Sequence, residues 1–185
     1  MIEQIKIDRF DEIYEIMEKS FPDDEFRPYC EQKELFLNEK YKVYGNITDG
    51  RLSSFIATWD FEDFVFIEHF ATSPNFRNMG IGEKMLKHLS NTLQKRLCLE
   101  VEPPNEEIQK RRVDFYRRNG FFLNTFSYTQ PPISKGKSPV PLMIMTTCGE
   151  VSEDEFLAIK NTLYREVYKI NENKYQKQRK DFIRP

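Results

Sequence analysis

The sequence predicts a mixed α+β domain, with one sheet and helices on its faces. Three observations point there. The segment "DFVFIEHFA", 63–71, is apolar nearly throughout, as a strand is when both its faces are covered. Before it, two strand-like runs, "YKVYGNI" and "LSSFIATW", meet through Asp49-Gly50, a strong hairpin signal. After it, the apolar spacing turns helical at Leu86, Leu89 and Leu93.

The elements follow in order. "IEQIKI" alternates and reads as a short first strand. From Asp11, residues Ile13, Ile16, Met17 and Phe21 fall on one helical face, and Pro22 ends that helix. "PDDEFRPY" is a loop, and a short helix follows over 31–38. The hairpin and the apolar strand come next, then a helix running to about Arg96. "LCLEVE" is a strand stopped by Pro103-Pro104. "NEEIQKRRVDFYRRNG" is a helix that ends in Asn119-Gly120, a left-handed cap. "FFLNTFSY" and "PLMIMTTC" are strands flanking the loop "PPISKGKSPV". Ser152 and Glu155 form a capping box that opens a helix with Phe156, Ile159, Leu163 and Val167 on one face. The order is β-α-α-β-β-β-α-β-α-β-β-α, with about seven strands.

At 185 residues the chain suits one domain with a substantial core. The expected organisation is a domain over 1–150, a C-terminal helix over 151–170 packed on it, and a polar tail over 171–185. The 31% of charged residues nearly cancel to a net charge of −2, so no overall field draws the chain to nucleic acid or an anionic membrane. Cys30, Cys98 and Cys148 have no metal-like spacing and read as reduced thiols of a cytoplasmic protein. The first residues carry charges throughout and lack the apolar stretch of a signal peptide. The longest apolar runs fall far short of the roughly 18 residues of a membrane span.

The specific stretch is "NFRNMGIGEKML", 75–86. Gly80 and Gly82 stand where the apolar strand gives way to a helix. A helix N-terminus presents N–H groups without intrahelical partners and a partial positive charge, which together bind anions. Glycine lets a phosphate approach the backbone, and Arg77 adds a cation. The physical reading is a phosphate or pyrophosphate cradle, although a G-x-G pair also serves plain strand–helix turns. Neither G-x-x-x-x-G-K-[S/T] nor G-x-G-x-x-G is present, because the third glycine position of the latter holds Met85.

"RNMGIG" fits [Q/R]-x-x-G-x-[G/A], the pattern that opens the coenzyme A pyrophosphate site in the GNAT acyltransferase superfamily. "VDFYRRNGF", about thirty residues later, is similar to that family's second signature, an aromatic-Tyr-x-x-x-Gly-Phe helix end. With the order of elements from Met1 to Cys148, the resemblance covers about four-fifths of the chain. It implies a GNAT-like fold: a mostly antiparallel sheet splayed between its fourth and fifth strands, with helices on both faces and the C-terminal helix as an addition. Pro103-Pro104 offers a local reason for the splay. The resemblance also implies acetyl-CoA as co-substrate, no metal, and transfer of an acetyl group to a primary amine of a small molecule or peptide. A non-catalytic domain that binds or senses acyl-CoA is the alternative, and a homodimer stays open.

By the same resemblance, the backbone of Phe70, Ala71 and Thr72 would bond the pantetheine and acetyl carbonyl. The amides of Asn78, Met79, Gly80, Ile81 and Gly82, with Arg77, would hold the pyrophosphate. Tyr116 matches the signature tyrosine, the candidate acid toward the coenzyme sulfur. The base candidates are Glu68 on the fourth strand and Glu100 on the fifth, where ribosomal-protein N-terminal acetyltransferases carry a catalytic glutamate. Relatives often show Asn seven residues before the tyrosine, where this chain has Gln109, and Asn105 keeps the spacing from Glu100. His69 alternates with Glu68 and is expected on the other face of its strand. Acidic residues at 23–25, with Glu100 and Glu102, hint at a cationic acceptor.

Overall fold

The computed structural model describes residues 1–170, and the polar tail read at 171–185 lies outside the described residues. The strands are β1 (Ile2–Ile5), β2 (Tyr41–Thr48), β3 (Arg51–Asp60), β4 (Phe64–Thr72), β5 (Arg96–Val101), β6 (Phe122–Leu123), β7 (Tyr128–Gln130) and β8 (Val140–Thr146). The helices are α1 (Phe10–Glu18), α2 (Tyr29–Glu34), α3 (Ile81–Leu93), α4 (Glu107–Arg118) and α5 (Glu153–Thr162). The sheet runs β1-β2-β3-β4-β5-β8-β6, and β7 also pairs with β8. All pairings are antiparallel except β4 with β5.

β4 is central in this order, and its first four residues are buried, which is why its sequence does not alternate. The β2–β3 hairpin turns at Asp49 (φ 51°) and Gly50 (φ 76°), the pair of positive φ values that a two-residue hairpin of matched twist requires. One face of the sheet packs Ile13, Ile16 and Met17 of α1 and Phe156 and Ile159 of α5 into one core. The other face packs Met85, Leu86 and Leu89 of α3 and Val113 and Tyr116 of α4 into a second. Among the described residues no helix is long and apolar enough to cross a membrane.

The sheet has eight strands because "FFLNTFSY" is broken in two. Leu123 faces Met145 and Tyr128 faces Leu142, so the segment spends two more residues than β8 between those pairings. Asn124 sits at the break. Its buried amide donates to the Ile144 carbonyl (3.2 Å) and Thr146 Oγ1 (3.0 Å), and its Oδ1 accepts from the Val151 amide (2.9 Å). The helix expected to reach Arg96 stops at Leu93, where Gln94 turns left-handed and Arg96 already opens β5.

The splay has a different origin from the prolines. β4 and β5 pair only from Phe64–Arg96 to Ile67–Leu99. At that point β4 bulges. Ala57 faces His69 while Thr58 faces Ile67, which leaves Glu68 as the extra residue. Beyond it β4 stays with β3 and β5 stays with β8. Pro103 and Pro104 lie past the end of β5, after the strands have already parted.

Candidate active site

The splay opens a cavity of about 640 Å³, lined by β4 from Ile67 to Thr72, β5 from Leu99 through Val101, and the start of α3. Glu25, Tyr116 and Gln130 close its other sides. Where β4 lacks a β5 neighbour, the backbone groups that would have paired face this space. Phe70, Ala71 and Thr72 line it. The Ala71 carbonyl already accepts from Ser54 Oγ (2.9 Å).

The glycine stretch forms one end. Asn78 (φ 63°) and Gly80 (φ 70°) are left-handed, and Gly80 caps α3. The first-turn amides of α3 have no carbonyl behind them within the helix. Arg77 Nε donates to the Thr72 carbonyl (3.2 Å), which ties the guanidinium to the end of β4. Asn78, Gly80, Ile81 and Gly82 line the cavity, whereas the Met79 side chain is exposed. Gly82 meets the aromatic wall: a Cβ there would lie 3.3 Å from both the Phe70 and Phe115 rings. Beside Gly80 there is open space, so this end of the cavity combines room, the first-turn amides of α3 and the nearby Arg77 guanidinium.

Tyr116 is placed by the end of α4. Gly120 (φ 85°) lets the chain double back, so that the Phe121 amide bonds the Tyr116 carbonyl at 3.1 Å and the Gly120 amide bonds that of Arg117 at 3.1 Å. This cap is the physical content of Tyr-x-x-x-Gly-Phe. The ring packs against Phe115 and Phe121. Among the described residues nothing hydrogen-bonds the Tyr116 hydroxyl, and the side chain lines the cavity. Burial pushes its pKa up to about 12 against the opposing pull of Arg112, so the phenol is protonated at neutral pH.

The two candidate bases sit in opposite environments. Glu68 is bound on all sides. Arg27 Nη1 donates to its Oε1 (2.7 Å), Trp59 Nε1 donates to its Oε2 (3.0 Å), and His69 Nδ1 lies 3.7 Å from Oε2. Burial alone would raise this carboxyl, but the charges of Arg27 and His69 and the hydrogen bonds outweigh it and hold it below the ordinary range. Glu100 has no cationic partner among the described residues. Tyr128 Oη donates to its Oε1, and Tyr168 Oη lies 2.9 Å from Oε1 and 2.7 Å from Oε2. Burial pushes the Glu100 pKa up to about 7, helped by the charges of Glu68 and Glu25 and only partly offset by the two phenols.

The bulge also moves His69. Instead of facing away from Glu68 it stands beside it, buried, with Nε2 2.9 Å from the Glu25 carbonyl. Burial lowers its pKa against the pull of Glu68, and its ring braces the acidic turn. Gln109 is structural, because its Oε1 accepts from the Asn105 and Glu106 amides, both at 3.0 Å, and caps α4. On α4, Arg112 binds Glu102 and lines the cavity, while Arg111 and Arg117 pair with neighbours on their own helix.

Arg27, Trp59, Tyr128 and Tyr168 carry no sequence signal for these roles. Each reaches its glutamate from elsewhere in the chain, with Tyr168 and Glu100 separated by 68 positions.

The chain matches the model of the acetyltransferase (GNAT) family over residues 10–121. It is 23% identical over 165 residues to YjbC of Bacillus subtilis (strain 168), named provisionally as an acetyltransferase; the match covers 88% of this chain and 84% of that protein. Among solved structures, a Bacteroides thetaiotaomicron protein described provisionally as an acetyltransferase from the GNAT family superposes with a TM-score of 0.85. That protein shares 32% identity, over 92% of this chain and 99% of its own. An aminoglycoside 6'-N-acetyltransferase complexed with coenzyme A superposes with a TM-score of 0.63 at 12% identity, over 80% and 96% of the two chains.

Proposed function

Because the chain belongs to the acetyltransferase (GNAT) family, and is thus an acyltransferase, we propose that it transfers the acetyl group of acetyl-CoA to a primary amine. The observation that carries the acceptor reading is Glu100: a carboxylate on the lip of the splay, without a cationic partner among the described residues, that titrates near neutrality.

An amine with a pKa near 10.4 is protonated at pH 7, and removing that proton costs roughly 4–5 kcal/mol. Glu100 is the base that takes it. At a pKa of about 7 it is basic enough to accept a proton and still largely ionised just above neutrality. The amine nitrogen then bonds to the thioester carbon, the carbon–sulfur bond breaks, and Tyr116 gives its proton to the departing thiolate and regains one from the nitrogen, which sheds its second proton as the amide forms. Glu68, pinned by Arg27 and depressed in pKa, is assigned to holding the bulge and not to proton transfer.

The cradle at Asn78–Gly82 with Arg77 suits the pyrophosphate of the coenzyme, and the coenzyme A complex of the aminoglycoside acetyltransferase supports that reading. The acceptor end is acidic. Glu102 is neutralised by Arg112 and Glu68 by Arg27, whereas Glu25 and Glu100 have no cation bound to them among the described residues. Ser20 Oγ and Gln130 Nε2 are buried there without a hydrogen-bond partner. This combination favours a cationic amine with further polar atoms, on a small molecule or a peptide.

The reading is tested by thiol release from acetyl-CoA against a panel of amines, polyamines, amino acids, aminoglycosides and peptides. Amine-dependent release that vanishes in Glu100→Gln is the expected result. Release without any amine dependence would overturn the acceptor reading.

A further inference from the structure

We propose that Tyr168, together with Tyr128, positions the Glu100 carboxylate for proton abstraction, which makes the C-terminal helix part of the catalytic apparatus; the inference rests on Glu100 being the base. Both tyrosines lie beyond residue 121, where the match to the family model ends.

The placement of Tyr168 is built in several steps. α5 ends in a wider turn over Leu163–Val167, and the Tyr168 amide closes it on the Leu163 carbonyl at 3.1 Å. Without that extra residue per turn, Tyr168 would point elsewhere around the helix. Arg27 Nη2 donates to the Val167 carbonyl (3.2 Å), which ties the turn to the loop before α2. Tyr164 packs between Tyr128, at a tilt, and Tyr168, edge to face, and its hydroxyl donates to the Thr129 carbonyl of β7 at 2.5 Å. The three rings form one braced wall behind Glu100.

The choice of donor matters. At Glu68 the carboxylate is held by an arginine, which fixes it and also removes its basicity. At Glu100 it is held by two neutral hydroxyls, which fix its orientation without supplying a charge. A carboxylate offers about four acceptor sites. Two phenols, with one proton each, leave about two for an incoming ammonium. Two adjacent strands thus carry two buried glutamates, and the partner alone separates the structural one from the reactive one.

The groups that face Glu100 come from every neighbouring element. They are Tyr128 from β7, Tyr168 from the C-terminal turn, Glu68 with its Arg27 from β4 and the loop before α2, and Glu25 from the turn after α1. Its own strand carries Cys98, with Glu102 just beyond it, the latter paired with Arg112. Among the described residues only the tyrosines donate a side-chain hydrogen bond to its oxygens. Removing either should therefore make the carboxylate harder to ionise.

The experiment uses the full chain. The Glu100 carboxyl is titrated by carbon-13 NMR in wild type, Tyr168→Phe and Tyr128→Phe, with Glu100→Gln for assignment, and thiol release is followed across pH. The expected result is an upward move of about one pH unit in both the NMR midpoint and the acid limb of kcat/KM. That shift corresponds to about a tenfold loss below the limb and recovery at alkaline pH. A purely structural tyrosine would lower the unfolding temperature and leave midpoint and limb on the wild-type curve, which overturns the proposal. So does a shifted midpoint with an unshifted limb. If Glu100→Gln keeps the full rate at every pH, the base assignment has failed and the positioning role falls with it. If Glu100→Gln is inactive but both phenylalanine variants are normal, the positioning role alone has failed. Should Tyr168→Phe not fold, Tyr128→Phe carries the same readout.

Discussion

The Arg27 guanidinium lies 2.7 Å from the Glu68 carboxylate, and the two side chains are only 6% and 2% exposed. This pair joins the loop before α2 to the bulge of β4, at the point where the sheet parts. Its partners are satisfied, so its geometry is fixed, but neither charge can survive alone at that depth. Arg27→Met should destabilise the fold by about 3–5 kcal/mol in urea unfolding. The double variant Arg27→Met/Glu68→Leu should recover most of that loss, because an apolar pair of similar volume has no charge to desolvate. Equal instability of single and double variants would show that the arginine's packing, not its charge, is what matters. The folded pKa of Glu68 is depressed. Its contribution to stability is therefore present above the unfolded value of about 4.3 and is lost as pH falls through the folded value.

Glu100 makes the opposite forecast. Its folded pKa of about 7 lies above the unfolded value. The protonated form is therefore favoured by folding, and stability is lost as pH rises through 7. Glu100→Gln removes the ionisation. It should lower kcat/KM by about 10²-fold or more while raising urea stability at pH 8 by about 1–3 kcal/mol. The gain should fade at pH 4. A variant that is inactive and also less stable at pH 8 would contradict the strained-carboxylate reading.

Tyr116→Phe keeps the ring contacts with Phe115 and Phe121 and deletes only the hydroxyl. No described group depends on that hydroxyl, so unfolding temperature and acetyl-CoA affinity should stay close to wild type. A thiol with pKa near 8.5 is already a fair leaving group, so kcat should fall by about 10- to 1000-fold. Steady-state kinetics decide the matter, and an undiminished kcat would remove the acid role.

Gly82→Ala adds a Cβ 3.3 Å from the Phe70 and Phe115 rings, so it pushes the aromatic wall as well as the ligand. Calorimetric titration should show acetyl-CoA affinity reduced by about tenfold or more, equivalent to about 1.4 kcal/mol. Adding Phe115→Leu makes room and should restore any lost stability without restoring affinity. Full recovery of affinity in the double variant would assign the glycine to ring packing and take the phosphate cradle away.

Local chemistry made much of the chain legible. Asp49-Gly50 dictated the hairpin because only such residues accept two positive φ values cheaply. Ser152 and Glu155 capped α5 as a box, and the apolar run of β4 announced a strand covered on both faces. Gly80 and the Tyr116–Phe121 segment marked the start of α3 and the end of α4, because their spacing reflects backbone geometry that any chain with that local shape must satisfy. The bulge at Glu68 was not legible. One extra residue in a ladder leaves no trace in an apolar strand, yet it set the side of His69 and the start of the splay. The break at Asn124 was hidden likewise, because its cause is a set of hydrogen bonds to β8 and Val151. Above all, the sequence offered Glu68 and Glu100 as equals. Their difference lies in a partner brought by folding, an arginine 41 positions away for one and a tyrosine 68 positions away for the other. The proton affinity of a carboxylate is set by the charges and donors within a few ångströms of it, and only the tertiary structure chooses those.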